Sequence, residues 1–210
     1  MARFGVPSAL AIGSVVPDFW YFVPLVARAD SHSLAGLAWF CVPAGLLLYL
    51  AFHTLLKQPL IELLSPRLAA FTTPGLPAAR WRSVIFSLLA GALTHVAWDA
   101  LTHANDNAPG HNWVQHASTL LGTAVLGAWL WRKLRSVPAR PAALSNLARL
   151  ATLGVLAGIA AAALVAHAGW PELEIAEFRR FLRTGGIAAA QASGLAIITY
   201  ALVWRLRKKR

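Results

Sequence analysis

Long apolar runs constrain this chain more than any other feature. Residues 34–56, 83–103, 113–131, 147–168 and 184–204 are dominated by Leu, Ala, Val, Ile, Phe, Trp and Gly. A helix needs about 20 apolar residues to cross roughly 30 Å of hydrocarbon. Four of the runs reach that length and a fifth comes close. Trp81, Trp113, Trp129, Trp131, Trp170 and Trp204 fall at their ends, where indole rings favour the membrane interface. The expected fold is therefore all-α: a polytopic membrane helix bundle with five long spanning helices.

Composition agrees. The chain is 58% hydrophobic and only 13% charged, with a mean hydropathy of +0.57. A soluble domain is nearer 45–50% apolar and about a quarter charged. One integral membrane domain over 1–210 is expected, with a polar part in 1–131 and a C-terminal helix pair in 147–204. Gly154 and Gly158, and the ridge of Gly186, Ala190 and Gly194, have the small-residue spacing that suits close helix packing in lipid.

The N-terminal stretch VPSALAIGSVVPDFWYFVPLVA is apolar enough to enter a membrane, yet Pro17 breaks it and Asp18 would be costly at the centre. A cleaved signal peptide is poorly served, since only Arg3 precedes the apolar stretch and no clean A-x-A site follows. A broken or re-entrant helix that carries Asp18 towards the protein interior is expected.

The net charge of +11 would suggest nucleic acid in a soluble protein. Here Lys and Arg lie between apolar runs and at the C-terminus, so membrane lipids are the expected partners and nucleic acid is not. Lys57, Arg67, Arg80 and Arg82 follow the first run, Arg132, Lys133, Arg135 and Arg140 follow the third, and RLRKKR ends the chain. The positive-inside rule makes these three segments cytoplasmic and turns ANDNAPGHN outward. The 57–80 segment is expected to lie along the cytoplasmic interface. The lone Cys41 excludes an internal disulfide and reads as a small buried apolar residue.

LTHVAWDALTH, residues 93–103, is the polar exception inside an apolar run. His95 and Asp99 are four residues apart, so they share one helix face and can bind one ion together. Imidazole and carboxylate suit zinc and other divalent first-row metals. His103 can reach a second ion, assist from behind the ligands, or cap the helix. The alternative is a polar patch that fastens helices by hydrogen bonds, but ionisable residues inside a membrane are functional by default. The inferred topology also brings Asp18, His32, His111 and His116 towards this outer side. His53 is about 30 Å from His32 along the helix and reads as an interfacial histidine. Ser31 or Ser33 is expected to cap the first long run.

GSVVPDFWYF, HSLAGL, GALTHVAWDALTH and QHASTLLG resemble a family of uncharacterised bacterial multi-pass membrane proteins, a domain of unknown function. This resemblance covers residues 5 to about 131. More distantly, the series PD, HS, TH with Asp four residues on, then LT, is similar to the inner-membrane metal-dependent hydrolase family and to zinc-dependent phospholipase C. The resemblance implies Asp18, His32, His95 and Asp99 as ligands of a divalent metal, zinc in those families, and a location in the bacterial inner membrane. One departure stands out. Those relatives begin with an extra stretch holding a histidine soon after a short F-T motif, whereas this chain begins MARFGV. Either the sequence starts late or that ligand is absent.

The leading expectation is a metal-dependent hydrolase with its site at the extracytoplasmic face, acting on a lipid or lipid-linked phosphate ester. His103 would then be the catalytic base. The alternatives are an ion or metal transporter and a scaffold that binds metal structurally.

Overall fold

The computed structural model describes residues 5–22, 26–70, 76–103, 112–139, 144–168 and 175–208. It is all-helical, with no strand among the described residues. The helices are α1 (Pro7–Gly13), α2 (Arg28–Ser31), α3 (Leu34–Leu63), α4 (Pro66–Ala69), α5 (Trp81–His103), α6 (Asn112–Ser136), α7 (Asn146–Ala168) and α8 (Ile175–Lys208). A short 3-10 helix, Val16–Tyr21, follows α1. It contains Pro17, so the interruption foreseen from the sequence is a change of helix type.

Four segments are long and apolar enough to cross a membrane: Leu34–Leu63, Trp81–Thr102, Asn146–His167 and Phe181–Lys208. The remaining expected run, 113–131, lies in the 25-residue α6. Gln115, His116, Ser118 and Thr119 near its start and Arg132, Lys133 and Arg135 near its end dilute its apolar stretch. Leu47, Phe86, Leu120, Val155 and Leu195 are exposed, as expected of helices whose outer faces meet lipid rather than water.

The chain divides into two compact units. The first comprises Met1–Trp20, Pro24–Tyr49 and Pro77–Ala139. Its core is built on α1 packed against α5. Val6, Ala9, Tyr49, Val84 and Leu88 form one buried cluster, and Val16, Leu37, Cys41 and Ala92 form another. Ile12 packs against both. The helices meet backbone to backbone: a Cβ on Gly13 would lie 2.2 Å from the Leu88 carbonyl oxygen, and one on Gly91 would lie 2.2 Å from that of Leu10. Only glycine permits this crossing. The Ser87 hydroxyl accepts from the Val6 N–H at 2.9 Å, which satisfies a donor at the start of α1.

The second unit comprises Tyr21–Val23, Leu50–Leu76 and Arg140–Arg210. Here α7 and α8 pack along each other, and α8 also packs against the last part of α3. The α3 helix carries two wide π turns, Leu37–Cys41 and Phe52–Leu56. Each lies just before a proline, Pro43 and Pro59, which cannot donate to the carbonyl four residues back. In the second unit Arg205 supplies the missing donors. Its Nε donates to the Leu55 carbonyl at 3.3 Å and its Nη2 to that of Thr54. The helix therefore continues to Leu63, past residue 57 where a loop was expected.

Two other expectations change. Gly154, Gly158, Gly186 and Gly194 have no atom within 4 Å of where a Cβ would stand, so these ridges are not where the helices of this chain meet. His53, read from the sequence as an interfacial histidine, is buried within the protein. It is 5% exposed and sits edge-on to Phe52.

Candidate metal site

The site lies wholly within the first unit. The 3-10 helix supplies Asp18, the end of α2 supplies His32, and α5 supplies His95 and Asp99. Ser31 is fully buried and fastens two of these elements, since its hydroxyl lies 2.9 Å from the Pro17 carbonyl oxygen. That bond fixes the backbone beside Asp18 to the backbone beside His32. Ser33 caps the start of α3, where its hydroxyl accepts from the Gly36 N–H at 2.9 Å. Of the two serines considered as caps, Ser33 takes that role and Ser31 acts as the fastener.

The tautomer of His32 follows from its surroundings. Its Nδ1 lies 3.1 Å from the Arg28 carbonyl oxygen. Nδ1 also lies 3.0 Å from the Ser31 hydroxyl. With that hydroxyl donating to the Pro17 carbonyl and the Arg28 carbonyl only accepting, the arrangement favours the hydrogen on Nδ1 and the lone pair on Nε2. Burial, followed by the nearby Arg28 guanidinium, pushes the His32 imidazole below its ordinary pKa. Both effects favour the neutral ring, the form a metal requires.

Asp18 joins the two histidines. Its Oδ1 is 3.5 Å from His32 Nε2 and its Oδ2 is 3.5 Å from His95 Nε2. One donor atom from each of Asp18, His32 and His95 lies within 4.8 Å of the others. Both Nε2 atoms are buried and neither has a hydrogen-bond partner among the described residues. The separations exceed the roughly 2.9 Å of a well-made N–H···O bond. They match the edges of a metal polyhedron instead: zinc bonds of about 2.0–2.2 Å place tetrahedral ligand atoms roughly 3.3–3.6 Å apart. The two distances run to different oxygens of Asp18, and the three groups together, by donor type and by lying within 4.8 Å of one another, could hold a metal ion.

Asp99 stands beside this trio. Its Oδ2 is 3.6 Å from His32 Nε2 and also accepts from Arg28 Nη2. The structure therefore brings Asp18, His32, His95 and Asp99 into one chain of contacts that ends on a guanidinium. The side chain of His103 and all of His111 lie outside the described residues. His116 is exposed on α6.

Sequence reasoning missed Arg28 and the fastening role of Ser31. The signal for Arg28 was present, since it stands four residues before His32, the spacing that puts two side chains on one helix face.

An all-helical chain with four candidate membrane spans and a carboxylate–imidazole cluster in its N-terminal part defines a class, that of membrane-type helical proteins with a possible metal site. The family profile described as "Domain of unknown function (DUF4184)" matches residues 1–203, and the chain belongs to that family. No curated protein and no solved structure matches the chain.

Proposed function

We propose that this chain is a metal-dependent hydrolase of the bacterial inner membrane, acting on a lipid or lipid-linked phosphate ester at the extracytoplasmic face. The observation that carries this reading is the pair of buried Nε2 atoms of His32 and His95, without a hydrogen-bond partner among the described residues, on either side of one Asp18 carboxylate. Structural polar clusters normally close their hydrogen bonds. A cluster that leaves two buried ring nitrogens without a hydrogen bond among the described residues is suited to a ligand.

Asp18, His32 and His95 would hold the cation, with Asp99 beside them. When bound, a divalent ion such as zinc lowers the pKa of water towards neutrality and polarises a scissile phosphoryl group. The protein's own residues do the rest. The Arg28 carbonyl and Ser31 keep His32 in its ligating tautomer and next to Asp18. His103, at the end of α5, is the candidate for accepting a proton.

The topology belongs to the same proposal: five spans, a broken or re-entrant N-terminal segment, and Lys/Arg-rich cytoplasmic loops. Lys and Arg cluster after residues 56, 131 and 204 and are absent from ANDNAPGHN, which supports it. A reporter fused after residue 107 is expected outside the cytoplasm and one fused after Arg140 inside. The reverse pattern would remove the extracytoplasmic site.

Elemental analysis of the full chain, purified in detergent, tests the chemistry. Metal at near one equivalent is expected, together with its loss in Asp18→Asn, His32→Gln and His95→Gln. Undiminished metal in all three folded variants would refute the site.

A further inference from the structure

We propose that Arg28 is the substrate-binding residue of this site, holding the oxyanion of a phosphate ester next to the cation, and that Asp99 occupies it when no anion is bound. This deepens the hydrolase reading and rests on it.

The geometry comes first. Arg28 Nη2 donates to Asp99 Oδ2, and that same oxygen is 3.6 Å from His32 Nε2. The guanidinium is thus one carboxylate away from the cluster of Asp18, His32 and His95. The backbone of the same residue accepts the Nδ1–H of His32, so the position of Arg28 relative to the ligands is fixed whatever its side chain does. Exposure comes next. The side chains of His32 and His95 are 10% and 20% exposed, whereas those of Asp18 and Arg28 are 40% and 44% exposed. The histidines are the more buried members of the cluster, and Arg28 is among the more exposed.

Donor capacity points the same way. A guanidinium has five N–H donors in a planar fork. One serves Asp99, and the others meet no protein acceptor among the described residues. That fork matches two oxygens of a phosphate better than any other side chain does. The Arg28 side chain is 44% exposed and that of Asp99 21%, so the pair is open on the arginine side, where an anion can compete with Asp99 for the guanidinium.

Charge makes the binding conditional. Two carboxylates, Asp18 and Asp99, stand against one guanidinium, Arg28, in this cluster. Without a cation the site repels an anion. A divalent ion reverses the sign of the site, and Arg28 can then exchange Asp99 for a phosphate oxygen. Anion binding should therefore require metal.

The test uses the full chain, zinc-loaded, in phosphatidylcholine nanodiscs, titrated with inorganic phosphate by calorimetry. Wild type should bind phosphate only when loaded. Arg28→Gln should keep its zinc and weaken phosphate binding at least tenfold. Arg28→Lys retains charge but not the fork and should fall between them, which also guards against misfolding of the glutamine variant. Asp99→Asn, at equal zinc content, should tighten phosphate binding by freeing Arg28. Phosphatidic acid added to the nanodiscs tells the source: competition with inorganic phosphate assigns the oxyanion to a lipid headgroup, and lack of competition assigns it to a water-borne phosphate ester. Wild type that takes up no zinc would overturn the hydrolase reading and this one with it. Zinc-loaded Arg28→Gln and Arg28→Lys that bind phosphate as wild type does would overturn the role of Arg28 alone.

Discussion

The two units of this chain each set charged side chains among apolar helices, but they treat them differently. In the second unit Glu62 is closed. One carboxylate oxygen accepts from Trp204 Nε1 and the other from Lys208 Nζ at 3.2 Å. Lys208 also lies 4.3 Å from the Trp204 ring centroid. Arg205 covers the carbonyls that the α3 π turn leaves free. In the first unit Asp18 stands at 3.5 Å from two imidazole nitrogens that make no hydrogen bond among the described residues. Residues of the same kinds thus serve two ends. A polar group with its bonds made fastens helices, whereas a group of donors held apart with lone pairs unfilled is prepared for something else. Bond closure separates them.

The largest expected effect comes from breaking the scaffold of the open region. Gly91→Leu puts a side chain where the Leu10 carbonyl oxygen leaves no room even for a Cβ. It should cost about 3 kcal/mol, the upper end for overpacking, read as a lowered Tm in detergent. Bound metal should fall with it, because α1 leads directly into the 3-10 helix that carries Asp18. A wild-type Tm would mean that the α1–α5 crossing is looser than described.

Next in size is the response to zinc. A ligand at a hundred times its Kd stabilises the folded state by about 2.7 kcal/mol. Wild type and Glu62→Gln should both gain this in thermal unfolding with zinc, while His32→Gln and His95→Gln should gain none. Equal gains in all four proteins would erase the distinction between the open and closed regions.

The smallest effect belongs to the closed region. Glu62→Gln removes the charge that Lys208 pairs with but keeps an acceptor for Trp204. Lys208 is largely exposed, and interhelical hydrogen bonds in membranes average about 0.6 kcal/mol. A loss of about 1 kcal/mol or less is expected, with metal content unchanged and a shift in Trp204 fluorescence. A loss of metal in this variant would show that Glu62 serves more than fastening.

The sequence by itself determined the helices. Apolar length and the lack of strand-like alternation are local properties, and so are the Ser33 cap and the interruption at Pro17. It also singled out Asp18, His32, His95 and Asp99, because charge inside an apolar run is visible in one dimension. Tertiary structure decided what those residues touch. Arg28 and Asp99 are 71 residues apart in the chain, and no pattern within α5 alone could show that Asp99 faces a guanidinium. Asp18 meets His95 only because Gly13 and Gly91 let two backbones cross in contact. Packing likewise carried α3 beyond Lys57, since Arg205 satisfies carbonyls that Pro59 cannot, and it left the GxxxG ridge of α7 open. Local sequence sets periodicity and caps, whereas the pairing of distant side chains depends on how closely helices can approach, and that is settled only when they pack.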